Sequence, residues 1–153
     1  MAVEYTYNPV QLVQPNQPVV LNTAIACPTC QVLHRNESGI VTLRGNTCSP
    51  CACSVARYMV TFNGNIAVPE DGTVQPIAVA LAIDGEPVLT SRAIVTPAAV
   101  DEYFNVTCTD IITVPKGCCF NASVENVSEP LDATTPAPAI NVQNANLTVS
   151  RLG

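Results

Sequence analysis

Charge is the scarcest property of this chain. Asp, Glu, Lys and Arg make up 12% of its 153 residues, against a usual share of about 25%. The apolar fraction, 48%, is ordinary, so the deficit falls on the surface. An exterior built from Thr, Asn, Gln, Ser, Pro and apolar side chains invites association. Basic residues are rarer still: six against twelve acids, with a net charge of −6 and Lys116 as the only lysine. Nucleic-acid binding is excluded on this ground, because neutralising phosphates takes a clustered basic footprint. Trp is absent and Tyr numbers four, which leaves little aromatic material for stacking on sugars. His34 is the only imidazole; without a second His it reads as a hydrogen-bonded structural residue, with Glu37 at most orienting it.

Other absences are of motifs. No Gly-rich phosphate loop, Walker sequence or G-x-S-x-G elbow occurs. The acids Asp84, Glu86, Asp101, Glu102 and Asp110 are dispersed near expected turns and strand ends, and nothing marks two of them as a hydrolytic pair. The expectation is that the chain is not an enzyme. No run of about 18 uninterrupted apolar residues is present, and the start, MAVEYTYNPV, has neither a basic n-region nor an apolar h-region. These features predict cytoplasmic synthesis and no membrane partner.

What is present is β-pattern. Short runs recur between turn signals: VVLNTAI, GIVTLRG, ARYMVTFN, IAVALAI, EYFNVTC, DIITVP, CFNASVEN and NLTVSRL. About eight to ten strands are expected, with almost no helix beyond a single turn at residues 96–100. Over residues 57–63, Tyr58, Val60 and Phe62 share one face while Arg57, Met59, Thr61 and Asn63 share the other. Asn63-Gly64 and Asp84-Gly85 each have the composition of a tight hairpin turn, and Glu70-Asp71-Gly72 and Pro115-Lys116-Gly117 punctuate similarly. Many strands without intervening helices predict an all-β, antiparallel jelly-roll sandwich. Residues 1–18, rich in Pro and Gln, form an N-terminal arm or edge segment, and residues 19–153 form the sandwich domain. Residues 128–139, SEPLDATTPAPA, read as a long exposed loop.

The cysteines carry the one chemical signal. Eight are present. The pairs Cys27-Pro-Thr-Cys30 and Cys48-Ser-Pro-Cys51 stand seventeen residues apart, within the spacing of a four-thiolate structural zinc site. Cys53 and the adjacent Cys118 and Cys119 fall outside such a site. An even count also fits disulfides in a particle that matures outside the cytosol, and buried reduced thiols acting as small apolar residues fit equally. In each of these three cases the role is structural.

The strings VLHRNESGIVTLRG, ARYMVTFNGNIAVP, IAVALAIDGEPV, AIVTPAAVDEYFNV, VPKGCC and INVQNANLTVSRL resemble a group of small jelly-roll proteins of Firmicutes and their phages. That group is similar in layout to the trimeric heads of the tumour necrosis factor and complement superfamily and to the heads of collagen-like spore-surface proteins. The resemblance implies a homotrimer in which an aromatic-bearing strand packs along the three-fold axis, with Tyr58 and Phe62 as the matching residues. No Gly-X-Y stalk is present, unlike the spore-surface proteins. The function expected is that of a structural virion component, a capsid decoration or head-fibre protein, partnered by itself and by the major capsid or another virion protein and located on the virion surface. The alternative is a receptor- or carbohydrate-binding head on a fibre or on a bacterial cell or spore surface.

Overall fold

The computed structural model describes residues 2–24, 31–35, 37–46 and 55–152. Twelve strands are present among the described residues: β1 Ala2–Tyr7, β2 Gln11–Val13, β3 Thr23–Ala24, β4 Val32–His34, β5 Val41–Arg44, β6 Val55–Ala67, β7 Ile77–Ile83, β8 Glu86–Pro87, β9 Ala93–Val95, β10 Phe104–Pro115, β11 Cys119–Asn126 and β12 Ile140–Arg151. They form two six-stranded sheets. The first runs β10-β6-β12-β1-β3, with β2 also on β12; the second runs β4-β5-β11-β7-β8, with β9 also on β7. Every pairing is antiparallel. Among the described residues the single helical element is one 3₁₀ turn at Leu89–Ser91.

Alternation drives the packing. In β6, Ala56, Tyr58, Val60, Phe62 and Ile66 are wholly buried, while Arg57, Met59 and Asn63 are exposed. They meet Val41, Leu43, Ile77, Val79, Leu81, Ala122 and Val124 of the second sheet in one continuous core, which is the inner-face packing of a sandwich. At roughly 1.5–3 kcal/mol for each fully buried large apolar side chain, this core supplies the main driving force for folding. β7 reads as a continuous apolar run because both of its faces are covered, Ala78 and Ala80 packing with Val127 on the outer side.

The first and last strands lie side by side, from Ala2 opposite Ser150 to Tyr7 opposite Ala145. Within residues 1–18, β1 lies between β12 and β3, and its Val3 and Tyr5 enter the core. Asn16 and Val19 then donate backbone hydrogen bonds to Asn126 and Val124 of β11, carrying the chain from the first sheet to the second.

Three turn and strand expectations change. Asn63-Gly64 closes no hairpin, since β6 runs straight through it. A Cβ on Gly64 would sit 2.8 Å from Cζ of Phe62, so this glycine makes room for the buried ring. Asp84-Gly85 does form the tight turn between β7 and β8, with φ of +51° and +82°. EYFNVTC and DIITVP join into the single long β10. Residues 96–100 form no helix; instead the Glu102 carboxylate accepts from the amides of Ala98 and Ala99 at 2.7 and 3.1 Å. Residues 127–139 carry no strand, and Asp132 organises the tip by accepting from the amides and hydroxyls of Thr134 and Thr135.

Candidate functional site

The outer face of the first sheet has a distinct composition, rich in Thr and Asn. Three long strands, β10, β6 and β12, and the shorter β1 present it in register. One row across them holds Thr109, Thr61, Thr148 and Glu4; the next holds Thr107, Asn63, Asn146 and Thr6. On the other side of the threonine row lie Ile111, Met59, Ser150 and Ala2. Directly opposed residues of an antiparallel pair share a face, so each row is a line of neighbouring side chains. Arg57 and Glu4 are the only charged residues that these strands direct outward among the described residues.

The polar groups of this face satisfy one another. Thr109 donates to Thr61 at 3.3 Å. Asn105 donates to Asn63 at 2.6 Å and to Asn65 at 3.1 Å, Asn65 donates to Asn144 at 3.1 Å, and Asn144 continues to Asn8. A line of asparagine amides therefore crosses from β10 to the chain after β1. It passes the β12 bulge, where the register shifts between Gln143 and Asn146 and Asn144 takes φ of +55°. Asn146 in turn donates to the Glu4 carboxylate. Beside this network stands an apolar end: Ile111 is 54% exposed, Met59 38% and Leu152 50%.

The expected axial aromatics lie elsewhere. Tyr58 and Phe62 are both fully buried and point into the sandwich, with the Tyr58 hydroxyl donating to the carbonyl of Arg44. Large rings bury more apolar area than Met or Thr, so they take the core side of β6. The side of β6 that remains for a partner carries Arg57, Met59, Thr61 and Asn63. Its signal was in the alternation, which separates two faces without naming the inner one.

Cys27, Cys30, Cys48 and Cys51, and Cys53 with them, lie outside the described residues. Cys108 is in the core, its thiol donating to the Val79 carbonyl at 3.6 Å, and burial pushes its pKa up to about 11. Cys118 and Cys119 are exposed free thiols. His34 Nε2 lies 2.9 Å from the Ser38 carbonyl, and the ring packs on Tyr5 with centroids 4.6 Å apart. Burial raises the Tyr5 phenol, whose hydroxyl has no hydrogen-bond partner.

Two of the acids bind backbone amides, one across the second sheet and one next to it in its own strand. Asp84 accepts from the Asn121 amide at 2.9 Å, and Asp110 from the amide of Ile111 at 2.9 Å. Glu125, 6% exposed, is held above the ordinary carboxylate range by burial and then by the nearby Glu86.

Asn-x-Ser/Thr sequons begin at Asn36, Asn105, Asn121, Asn126 and Asn146, and the asparagines among the described residues are engaged in the fold, Asn121 by accepting from the Thr42 hydroxyl. Asn126 is fully buried and donates to the Val13 and Pro138 carbonyls, while the amides of Asn105 and Asn146 are engaged across the sheet. Asn36 lies outside the described residues. A shallow, mainly apolar cavity of about 240 Å³ lies between β7, β9 and residues 127–131, with the Arg92–Glu129 ion pair at 2.9 Å on its wall. Among the described residues no helix is long and apolar enough to cross a membrane.

No family model matches the chain, and no curated protein matches it. Among solved structures it is similar to the globular domain of zebrafish complement 1qA protein, at 14% identity and a TM-score of 0.55, over 97% of this chain and 94% of that one. At this identity the likeness bears on architecture alone. The two antiparallel sheets and this neighbour together give the chain a jelly-roll sandwich fold.

Proposed function

We propose that the chain is a non-catalytic head that associates with copies of itself, as a homotrimer, and serves as a structural component on the surface of a phage particle, decorating or stabilising the capsid. The observation that carries this reading is the outer face of the first sheet. Strands of 13, 12, 12 and 6 residues, spaced about 4.8 Å apart and rising about 3.4 Å per residue, make a patch of roughly 700 Å². That is the order of the ~800 Å² that one partner contributes to a standard interface. Desolvating it costs little, because its amides and hydroxyls already pair with one another and its two charges sit toward the margins. Met59 and Ile111 supply apolar anchors of the kind found at interface cores.

The association step is tested by sedimentation or native mass measurement of the full chain. A trimer that becomes a folded monomer in Met59→Lys/Ile111→Lys supports the reading; a wild-type monomer at micromolar concentration overturns it. The particle step is tested separately, by proteomics of purified virions and by binding to undecorated capsids. Absence from virions, together with no capsid binding, would reject the decoration role while leaving self-association standing. Binding to a glycan array or to host cells without capsid binding would replace it with a receptor-binding head.

A further inference from the structure

The turn between β10 and β11 carries two adjacent cysteines, both exposed. The turn is well anchored. Cys118 N donates to Pro115 O at 3.1 Å, Gly117 takes φ of +77°, and two bonds tie the turn to the end of β5: Gly45 N to Cys118 O at 2.8 Å and Gly117 N to Asn46 O at 3.1 Å. Cys119 opens β11 directly opposite Arg44, so that thiol and that guanidinium share the outer face of the second sheet.

The pair is poorly placed to bond to itself. Neighbouring α-carbons are 3.80 Å apart across a trans peptide, below the 4.4–6.8 Å that disulfides usually span, and adjacent residues entering a strand project to opposite sides. Each thiol thus has a separate outlook.

Arithmetic supplies the second argument. Of the eight cysteines, Cys108 is enclosed in the core with its thiol bonded to the Val79 carbonyl. The other seven are an odd number, so complete oxidation leaves at least one sulfur without a partner inside its own chain.

We infer that Cys118 and Cys119 are the covalent junction between copies of this chain in oxidising surroundings. The reaction is thiol–disulfide exchange with a small disulfide such as oxidised glutathione. One protein thiolate attacks a sulfur of the small disulfide, forming a mixed disulfide and releasing one small thiol. The thiolate of a second copy then attacks the protein sulfur of that bond, forming the protein–protein disulfide and releasing the second small thiol. Two protein thiols thereby lose two protons and two electrons, which the small disulfide takes up as two thiols. Because the turn sits in solvent and is held by backbone bonds, the exchange needs no opening of the core.

The experiment incubates the full chain in glutathione buffers of rising oxidised fraction, followed by non-reducing denaturing electrophoresis and peptide mass mapping. Covalent dimers or larger species are expected in oxidised buffer. They disappear with dithiothreitol, fall at least tenfold in Cys118→Ser/Cys119→Ser and persist in Cys108→Ser. Three results would overturn the inference: monomer alone in oxidised buffer, an undiminished ladder in the double variant, or mapped bonds joining Cys118 or Cys119 only to cysteines of the same chain. The native mass of the fully reduced protein reports non-covalent association independently, so the trimer reading and this junction succeed or fail separately.

Discussion

Asn126 ties three parts of the fold together. It lies at the end of β11 with no exposed surface, and its side-chain amide donates to Val13 O at 3.0 Å and to Pro138 O at 2.9 Å while its carbonyl accepts from Ser128 N at 3.0 Å. The first bond reaches β2, the second the end of the 127–139 loop, and the third the start of that loop. Asn126→Ala removes all three and leaves two carbonyls and one amide in a site with little access to water. At about 1–1.5 kcal/mol for each orphaned group, the loss should be about 4 kcal/mol. For a chain of this size that corresponds to a fall in melting temperature of roughly 8–16 °C. The comparison is Asn121→Ala, on the exposed side of the same strand, where the Thr42 hydroxyl donates at 2.8 Å in solvent; its cost should stay within about 0.5 kcal/mol. Urea titration with both variants gives the two free energies at constant m-value. A loss under about 1 kcal/mol for Asn126→Ala, or equal losses for the two variants, would refute the claim that this side chain joins the sheets to the loop.

Gly64→Ala places a methyl 2.8 Å from the buried Phe62 ring and should cost about 1–3 kcal/mol, measured by thermal melting. Glu125 has a folded-state pKa raised by burial and by Glu86, so the folded state holds its proton more tightly than the unfolded one. Its stabilising effect is present below the unfolded carboxyl pKa and is lost as pH rises through the folded value. Glu125→Gln should therefore flatten the fall in stability above pH 4.5 and leave the variant more stable than wild type at pH 7, as read by denaturation at a series of pH values. Asp132 has the opposite sign: the Thr134 hydroxyl and amide, then those of Thr135, lower its pKa to about 2. The loop tip should keep its order above the unfolded aspartate pKa and lose it as pH falls through 2, which the amide resonances of Thr134 and Thr135 report in an NMR titration.

Particular residues show how much was written in the sequence. The alternation from Arg57 to Asn63 reveals a strand with two faces, and Asp84-Gly85 reveals a turn, because both depend on local backbone rules. Asn63-Gly64 carries the same local signal for a different purpose: the glycine accommodates the Phe62 ring, a packing need visible only once the ring is seen in the core. The same limit applies to the outer face of the first sheet. Periodicity separates Tyr58 and Phe62 from Met59 and Thr61 but says nothing of which group the second sheet will cover. The sequence of β10 divides into two runs because Asp110 interrupts the apolar alternation of Val106, Cys108, Ile112 and Val114. In the fold Asp110 lies on the inward side of an edge strand, a placement that discourages further strand addition. The three bonds of Asn126 had no sequence signal, since its partners are the backbone atoms of residues 13, 128 and 138.

The pairing of β1 with β12 has a practical corollary. Ala2 faces Ser150, and Arg151 follows opposite Tyr58, so the two strand ends emerge together at the pole where the Pro115–Cys118 turn lies. Any tether attached before residue 2 or after residue 152 departs from that pole and leaves the far end, around Asp71 to Val74, unobstructed. A short linker should accordingly join the two ends into a circular permutant, with new ends opened in the exposed 131–134 tip, while every ladder of both sheets stays intact. The sandwich is in that sense a one-ended display scaffold, in which cargo and mooring share one pole.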